Sequence, residues 1–460
     1  MIVLIYNLYI IYIFLNISIF FCICKFIELD INKYKNINIT ENNNIYNNFF
    51  DKYFFSDIYI NIELGSNKQK IPLFLFHSRY ELSIGNSNTS NPFKFNDFNS
   101  NSYLIYNYNK TPYEYYSMFN EYIWGFNASD KCKFSNKLIY DSLNFLSVSL
   151  YNESFIKNYE QKNILGLKLK PSLRDIVKFE SFNFINQLKK NDLIKDYVYY
   201  FKFNDKNKKN NFINFKGKFI IGDYPHNINK KKYNKLNLKQ KQNGISTDSL
   251  IWEIEFDNIK ILDQEFNNEK CLFQIENSFI IANRKFYNYL KENFLNKFIE
   301  NFFCDEYNNY KNIIGIKCKK KINIIDKFNK LEFYIKSENY SFLFDNKELF
   351  YSDDNYDYFL ITFNLTGRHW ILGKVFFDKF NIIFNQDSKM LYWYDKYYKN
   401  NNFYILFNLF LIFVLIFIVF LLIYVIYILL KNKPRKKFAN EMDDEYNYDY
   451  NKILEMSKNK

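Results

Sequence analysis

The chain has 460 residues, enough for two or three domains with real cores. Hydrophobic residues make up 48% of it and aromatics 22%, which excludes a disordered chain despite the abundance of Asn and Lys. The net charge of +13 follows the Lys-, Asn- and Ile-rich bias of A/T-rich codons, and no basic face or known module argues for nucleic-acid binding.

Residues 2–24 form an apolar run, IVLIYNLYIIYIFLNISIFFCIC, so 1–25 is expected to be a signal peptide or a signal anchor. Residues 26–50 are Asn- and Lys-rich and are expected to be a poorly ordered, polar lead-in. From Phe54 the pattern changes to short apolar runs of strand length. These include DIYINIEL (57–64), IPLFLF (71–76), YVYYFKF (197–203), GKFIIGD (217–223), WEIEFDNIKIL (252–262), LEFYI (331–335), YFLITF (358–363) and FNIIFN (380–385). Alternation, β-branched and aromatic enrichment and turn residues between the runs predict an all-β fold. Residues 177–195 and 285–303 read as helical. A basic Asn/Lys-rich stretch, 226–250, reads as a linker or insertion between halves at 51–225 and 251–398.

The run Leu409–Leu430 has no charge and spans roughly 33 Å as a helix at ~1.5 Å per residue. Lys431, Lys433, Arg435, Lys436 and Lys437 follow it directly. This predicts a transmembrane helix over 403–430 in the lipid bilayer, a cytosolic tail over 431–460, and a lumenal or extracellular domain before them. The expected protein is a single-pass type I membrane protein of the secretory pathway, in an ER, endosomal or surface membrane. Sequons at Asn88, Asn109, Asn127, Asn152, Asn339 and Asn364 agree with a lumenal surface. The tail carries Tyr450-Asn451-Lys452-Ile453, a Tyr-x-x-apolar pattern of the kind sorting adaptors read.

Outside the first apolar run the cysteines are Cys132, Cys271, Cys304 and Cys318, which allow three pairings; Cys304–Cys318 is the most local. Only three His are present and they lie far apart, so neither a metal site nor a cofactor is expected.

The two halves carry matching landmarks in matching order. In the first these are IELGSNKQKIPLFLF (62–76), Asn163-Ile164-Leu165-Gly166-Leu167, FNFINQLKKNDLIKDYVYYFKFN (182–204) and GKFIIGDYP (217–225). In the second they are the strand opened by Trp252, FIIANRKFYNYL (279–290), Trp370-Ile371-Leu372-Gly373-Lys374-Val375-Phe376-Phe377 and FNIIFNQDSKMLYWY (380–394). Over roughly residues 54–397 the chain resembles the pepsin-like aspartic proteases, and with its C-terminal helix it is most similar to the membrane-anchored, plasmepsin-type members. The resemblance implies a bilobal all-β fold with an interlobe cleft.

In that family two Asp side chains share one proton across the cleft, one acting as base on a water and the other as acid on the peptide. Each Asp begins an Asp-Thr/Ser-Gly loop whose hydroxyl bonds across to the other lobe. This chain has ten glycines, and no Asp stands two residues before any of them. Counting from Gln69 without a gap puts Phe76, His77 and Ser78 at the three positions of the first loop. The register set by Phe279 puts Gln274, Ile275 and Glu276 in the second. Counting from Cys271 instead places Glu276 at the second Asp position, and one gap places His77 at the first, which would offer a His–Glu acid-base pair. Read blandly, His77 is a polar loop residue and Glu276 a solvated turn residue. The family's flap falls near 110–124, with Tyr115 or Tyr116 as its tyrosine. The expectation is thus a pseudo-protease whose cleft binds a polypeptide or partner protein, the alternative being an active aspartic-type endopeptidase that cleaves secretory proteins.

Overall fold

The computed structural model describes residues 26–33, 49–89, 92–106, 113–116, 122–135, 138–152, 162–169, 182–203, 216–225, 233–238, 251–308, 312–394 and 402–431. Residues 1–25, the sorting-type tetrapeptide in the tail and Asn109 lie outside them. Two compact units divide the chain: one through Lys396, which holds all the strands, and one from Tyr397, which holds a long helix.

In the first unit, in chain order, the strands are β1 (Ile27–Lys33), β2 (Ile58–Leu64), β3 (Gln69–Phe76), β4 (Leu82–Gly85), β5 (Leu104–Tyr106), β6 (Tyr113–Tyr116), β7 (Tyr122–Ser135), β8 (Leu138–Asn152), β9 (Ile164–Gly166), β10 (Val198–Phe203), β11 (Gly217–Ile221) and β12 (Asn234–Asn237). There follow β13 (Glu253–Ile261), β14 (Gln264–Phe273), β15 (Ile280–Asn283), β16 (Cys304–Asn308), β17 (Ile313–Lys319), β18 (Leu331–Ile335), β19 (Tyr340–Phe344), β20 (Phe350–Ser352), β21 (Tyr356–Phe359), β22 (Ile361–Asn364), β23 (Trp370–Leu372), β24 (Ile383–Asn385) and β25 (Met390–Trp393). Among the described residues they make a 14-stranded and an 11-stranded sheet, the all-β architecture that the alternation predicted, in the bilobal form that the resemblance implied.

The two sheets repeat one device. β3 runs parallel to β9, which pairs antiparallel with β4, which runs parallel to β8. In the second lobe β14 runs parallel to β23, which pairs antiparallel with β15, which runs parallel to β22. Each lobe thus sends a strand into the centre, breaks it in a loop, and returns it on the far side of a short Ile-Leu strand. The glycine ending each short strand is required by close approach. A Cβ on Gly166 would lie 2.4 Å from the carbonyl carbon of Tyr80, and one on Gly373 would lie 2.2 Å from the carbonyl oxygen of Phe279.

Several boundaries differ from the sequence reading. The expected lead-in, 26–50, contains β1, whose Ile27, Leu29 and Ile31 are buried while its backbone pairs with β11 and β2. Its alternation is real but sits among Asn and Lys. The expected linker, 226–250, contains β12, an edge strand on β25. It has no apolar alternation to betray it, because no face of it is fully covered. The expected C-terminal half, 251–398, also does not stay in its own sheet: β24 pairs with β10 and β25 with β12, so the chain's last strands close the first sheet.

One hydrophobic core runs through both lobes, with Trp252, Trp370 and Trp393 fully buried in it. Aromatic rings fill much of it, each worth about 1.5–3 kcal/mol on burial. Cys304 and Cys318, opposite one another on β16 and β17, are joined by a disulfide, while Cys132 and Cys271 are buried free thiols. The second unit's helix, Asn402–Lys431, contains a stretch, Phe410–Leu429, long and apolar enough to cross a membrane.

The close contacts at the two glycines give a direct test. Gly373→Ala and Gly166→Ala are each expected to cost about 2 kcal/mol or more through overpacking against loop backbone. Urea unfolding of the purified protein measures this, and an unshifted midpoint for Gly373→Ala would contradict that packing.

Candidate functional site

The two broken strands meet where β3 and β14 end. β3 closes its parallel pairing with Phe76 opposite Gly166, and one step beyond the Phe273–Leu372 pair stand Gln274 and Gly373. Phe76 and Gln274 therefore occupy corresponding places in the two lobes. Both are half-buried, whereas the next two residues in each loop, His77 and Ser78, Ile275 and Glu276, are buried. The Phe76 carbonyl accepts from the Leu167 amide at 2.8 Å. The Leu167 carbonyl in turn accepts from the Tyr199 hydroxyl at 3.0 Å and from Trp252 Nε1 at 2.7 Å. Gln274 accepts at Oε1 from Asn277 Nδ2 at 2.7 Å, and its amide donates to the Leu372 carbonyl at 3.1 Å.

Between the half-buried positions the lobes are clamped. The Glu276 carboxylate accepts from the backbone amides of His77 at 3.0 Å and Ser78 at 3.1 Å. His77 Nδ1 returns the grip by accepting from the Ile275 amide at 3.2 Å. The segment Phe54–Ser56 holds the same loop from its other side. The Ser56 amide donates to the Glu276 carbonyl, the Ser278 amide to the Phe54 carbonyl, and Ser56 Oγ to the Ile275 carbonyl at 2.6 Å.

Burial sets the protonation of the clamp. The His77 ring lies among Tyr199, Phe201, Phe377 and Phe384, with centroids 4.9–5.8 Å away. That apolar cage pushes its pKa down to about 3, so the ring is neutral, and accepting at Nδ1 leaves its proton on Nε2. Burial pushes the Glu276 carboxyl up, against the pull of the amides of His77 and Ser78.

The structure thus brings His77 and Glu276 together across the lobe boundary, and neither is a solvated loop residue. Yet His77 spends Nδ1, and Glu276 both its oxygens, on backbone of the opposite loop. His77 makes its bond from the position where the resemblance led us to expect a hydroxyl, and Glu276 makes its two from the position of the family's glycine. Tyr115 and Tyr116 lie on β6, paired with Ile123 and Tyr122 of β7; their side chains fall outside the described residues. Among the described residues no cluster of His, Cys, Asp or Glu is arranged to hold a metal ion. Sequence reasoning missed the Phe54–Ser56 brace and the buried Arg79–Glu81 ion pair at 3.5 Å in the first loop. Nothing in the local sequence marks either, since their burial is imposed by residues far along the chain.

Two measurements test the clamp. Glu276→Ala strands two buried amides and is expected to cost about 3 kcal/mol. For His77 the unfolded chain binds a proton near 6.5 that the folded domain refuses until about 3. The stability from its neutral ring is therefore full above that upper value and is lost as pH falls, at about 1.4 kcal/mol per pH unit. Glu276 acts in the opposite sense, its contribution fading as pH rises from 4.5 towards its raised pKa. Since His77→Gln keeps Glu276, the difference between its stability-pH curve and that of the natural chain isolates His77, and parallel curves would remove the buried-imidazole account.

A family model, Eukaryotic aspartyl protease, matches residues 58–392. No curated protein matches the chain. The family match covers both lobes, from β2 to β25, and includes both central loops and both Ile-Leu-Gly strands, so the chain belongs to the eukaryotic aspartyl protease family.

Proposed function

We propose that this chain is a membrane-anchored member of the family that has given up peptide hydrolysis and uses its cleft to bind an extended polypeptide or partner protein. The observation that carries this is the pairing of Phe76 with Gln274. They stand at corresponding places after the two parallel pairings, half-buried, where the family's carboxylates would be. A phenyl ring does not titrate, and an amide does not exchange a proton near neutral pH. Losing both members of a unit that shares one proton costs on the order of 10⁴-fold or more in rate. An extended peptide would still find strand edges and apolar pockets.

Hydrolysis by His77 and Glu276 instead is disfavoured by the same geometry. A general base needs a free lone pair within reach of water. The lone pair on His77 Nδ1 accepts from the Ile275 amide, each Glu276 oxygen already accepts from one amide, and both residues are buried away from solvent.

The stretch Phe410–Leu429 and the basic residues from Lys431 onward support a span with its tail in the cytosol and the domain in the lumen.

The purified lumenal domain, incubated with a broad peptide library between pH 3 and 8 beside an active family member, is expected to release no fragments. It is expected to retain extended peptides, and Phe76→Arg to reduce that retention at least tenfold, about 1.4 kcal/mol. Pepstatin-sensitive cleavage, or no retained peptide, would overturn the proposal. Topology has a separate readout. Asn88 and Asn339 are exposed, whereas the Asn127 side-chain oxygen is buried and that of Asn364 accepts from Thr366 and Gly367. Glycosidase-sensitive mass at Asn88 and Asn339 is expected in a lumenal domain, and a chain without it would reverse the orientation.

A further inference from the structure

From Leu409 to Leu430 the aromatic residues are Phe410, Phe413, Phe417, Phe420, Tyr424 and Tyr427. Their spacings are 3, 4, 3, 4 and 3, so every one falls on the first or fourth position of a single heptad frame, and every such position is aromatic. The other residues of the span are Leu, Ile and Val. Codon bias enriches Phe and Tyr but does not sort them into one frame. Snorkelling to a membrane interface explains Tyr424 and Tyr427, which are close to Lys431, and leaves the four Phe through the middle unexplained.

In a helix of 3.6 residues per turn these side chains form one stripe, which drifts by ~20° per heptad and so winds left-handed about the axis. All six are between 58% and 69% exposed. At 150–250 Å² per aromatic side chain, the stripe offers on the order of 700 Å² per helix, close to the ~800 Å² per partner of a stable interface. The span contains no Gly, Ala, Ser or Thr, so the small-residue route to helix pairing is closed to it and large knobs must carry any association.

We propose that this stripe is a self-association seam, and that its occupant is the same stripe on a second copy of this chain. The proposal rests on the membrane-span reading above. Copies inserted in one orientation lie parallel and at equal depth, so each aromatic layer meets the identical layer of its partner. A heptad seam then closes in a left-handed crossing of about 20°. A different partner helix would have to reproduce six layers at matched depth, whereas a second copy does so by identity.

The test uses the full chain in membranes, with Cys22 and Cys24 changed to Ser and one cysteine placed in the span. Seam variants are Phe413→Cys, Phe417→Cys and Phe420→Cys; variants on the opposite face are Leu415→Cys, Val419→Cys and Leu422→Cys. Mild oxidation is expected to give disulfide-linked dimers at least about fivefold more abundant for the seam set, following the heptad period. Alkaline extraction of the same membranes reports whether the chain is integral. An integral chain with uniform or opposite-face crosslinking, or with adducts only to other proteins, overturns the seam and leaves the span standing. A chain extracted by alkali overturns the span, and the seam with it.

Discussion

The centre of the domain hangs on one buried carboxylate. Glu276 enters the lobe boundary with no cation paired to it among the described residues and is held there by two backbone amides of the facing loop. Burying a carboxylate without such partners costs several kcal/mol, so the bonds and the burial imply one another. Everything nearby answers to that requirement. β3 must stop at Phe76 so that the amides of His77 and Ser78 point across. β14 must stop at Phe273 so that Glu276 can reach them. Gly166 and Gly373 must lack side chains so that each loop can fold back on its strand. The His77 imidazole completes the exchange by accepting from the opposite loop, and aromatic rings surround it.

This arrangement has a chemical consequence. A hydrolytic centre keeps acid and base groups poised but unspent. Here His77 and Glu276 bond to backbone of the facing loop, and the two half-buried positions beside them hold a ring and an amide. The site is preorganised as a joint, with its polar capacity turned inward. The same residues that hold the lobes together therefore also carry the domain's expected response to acid.

Much of the fold was legible because alternation survives composition bias. LEFYI became β18 residue for residue, and DIYINIEL differs from β2 only by its first residue. β1 was lost because three buried aliphatics lie in a stretch whose neighbours are Asn and Lys. β12 was lost because an edge strand need not alternate. At the site, counting from Gln69 and from Phe279 pointed to Phe76 and Gln274, which the pairings put at corresponding places after β3 and β14. What counting did not supply was the burial of His77 and Glu276. For His77 that is set by Tyr199, Phe201, Phe377 and Phe384, more than a hundred residues away in sequence, and a polar loop residue carries no local mark of such neighbours.

Abundance and position carry different information in so biased a chain. Phe is frequent everywhere, so a Phe in the core says only that the core was filled with what the codons supplied. Its places there follow burial, as Phe201, Phe219 and Phe384 do. The C-terminal helix has no such guide, for every side of it is open and any apolar residue satisfies a bilayer. From Leu409 to Leu430, aromatics confined to one heptad frame reflect a constraint that hydrophobicity alone does not impose. Shape is the property left to be selected, and a repeated shape along one face acts only through a second surface that matches it.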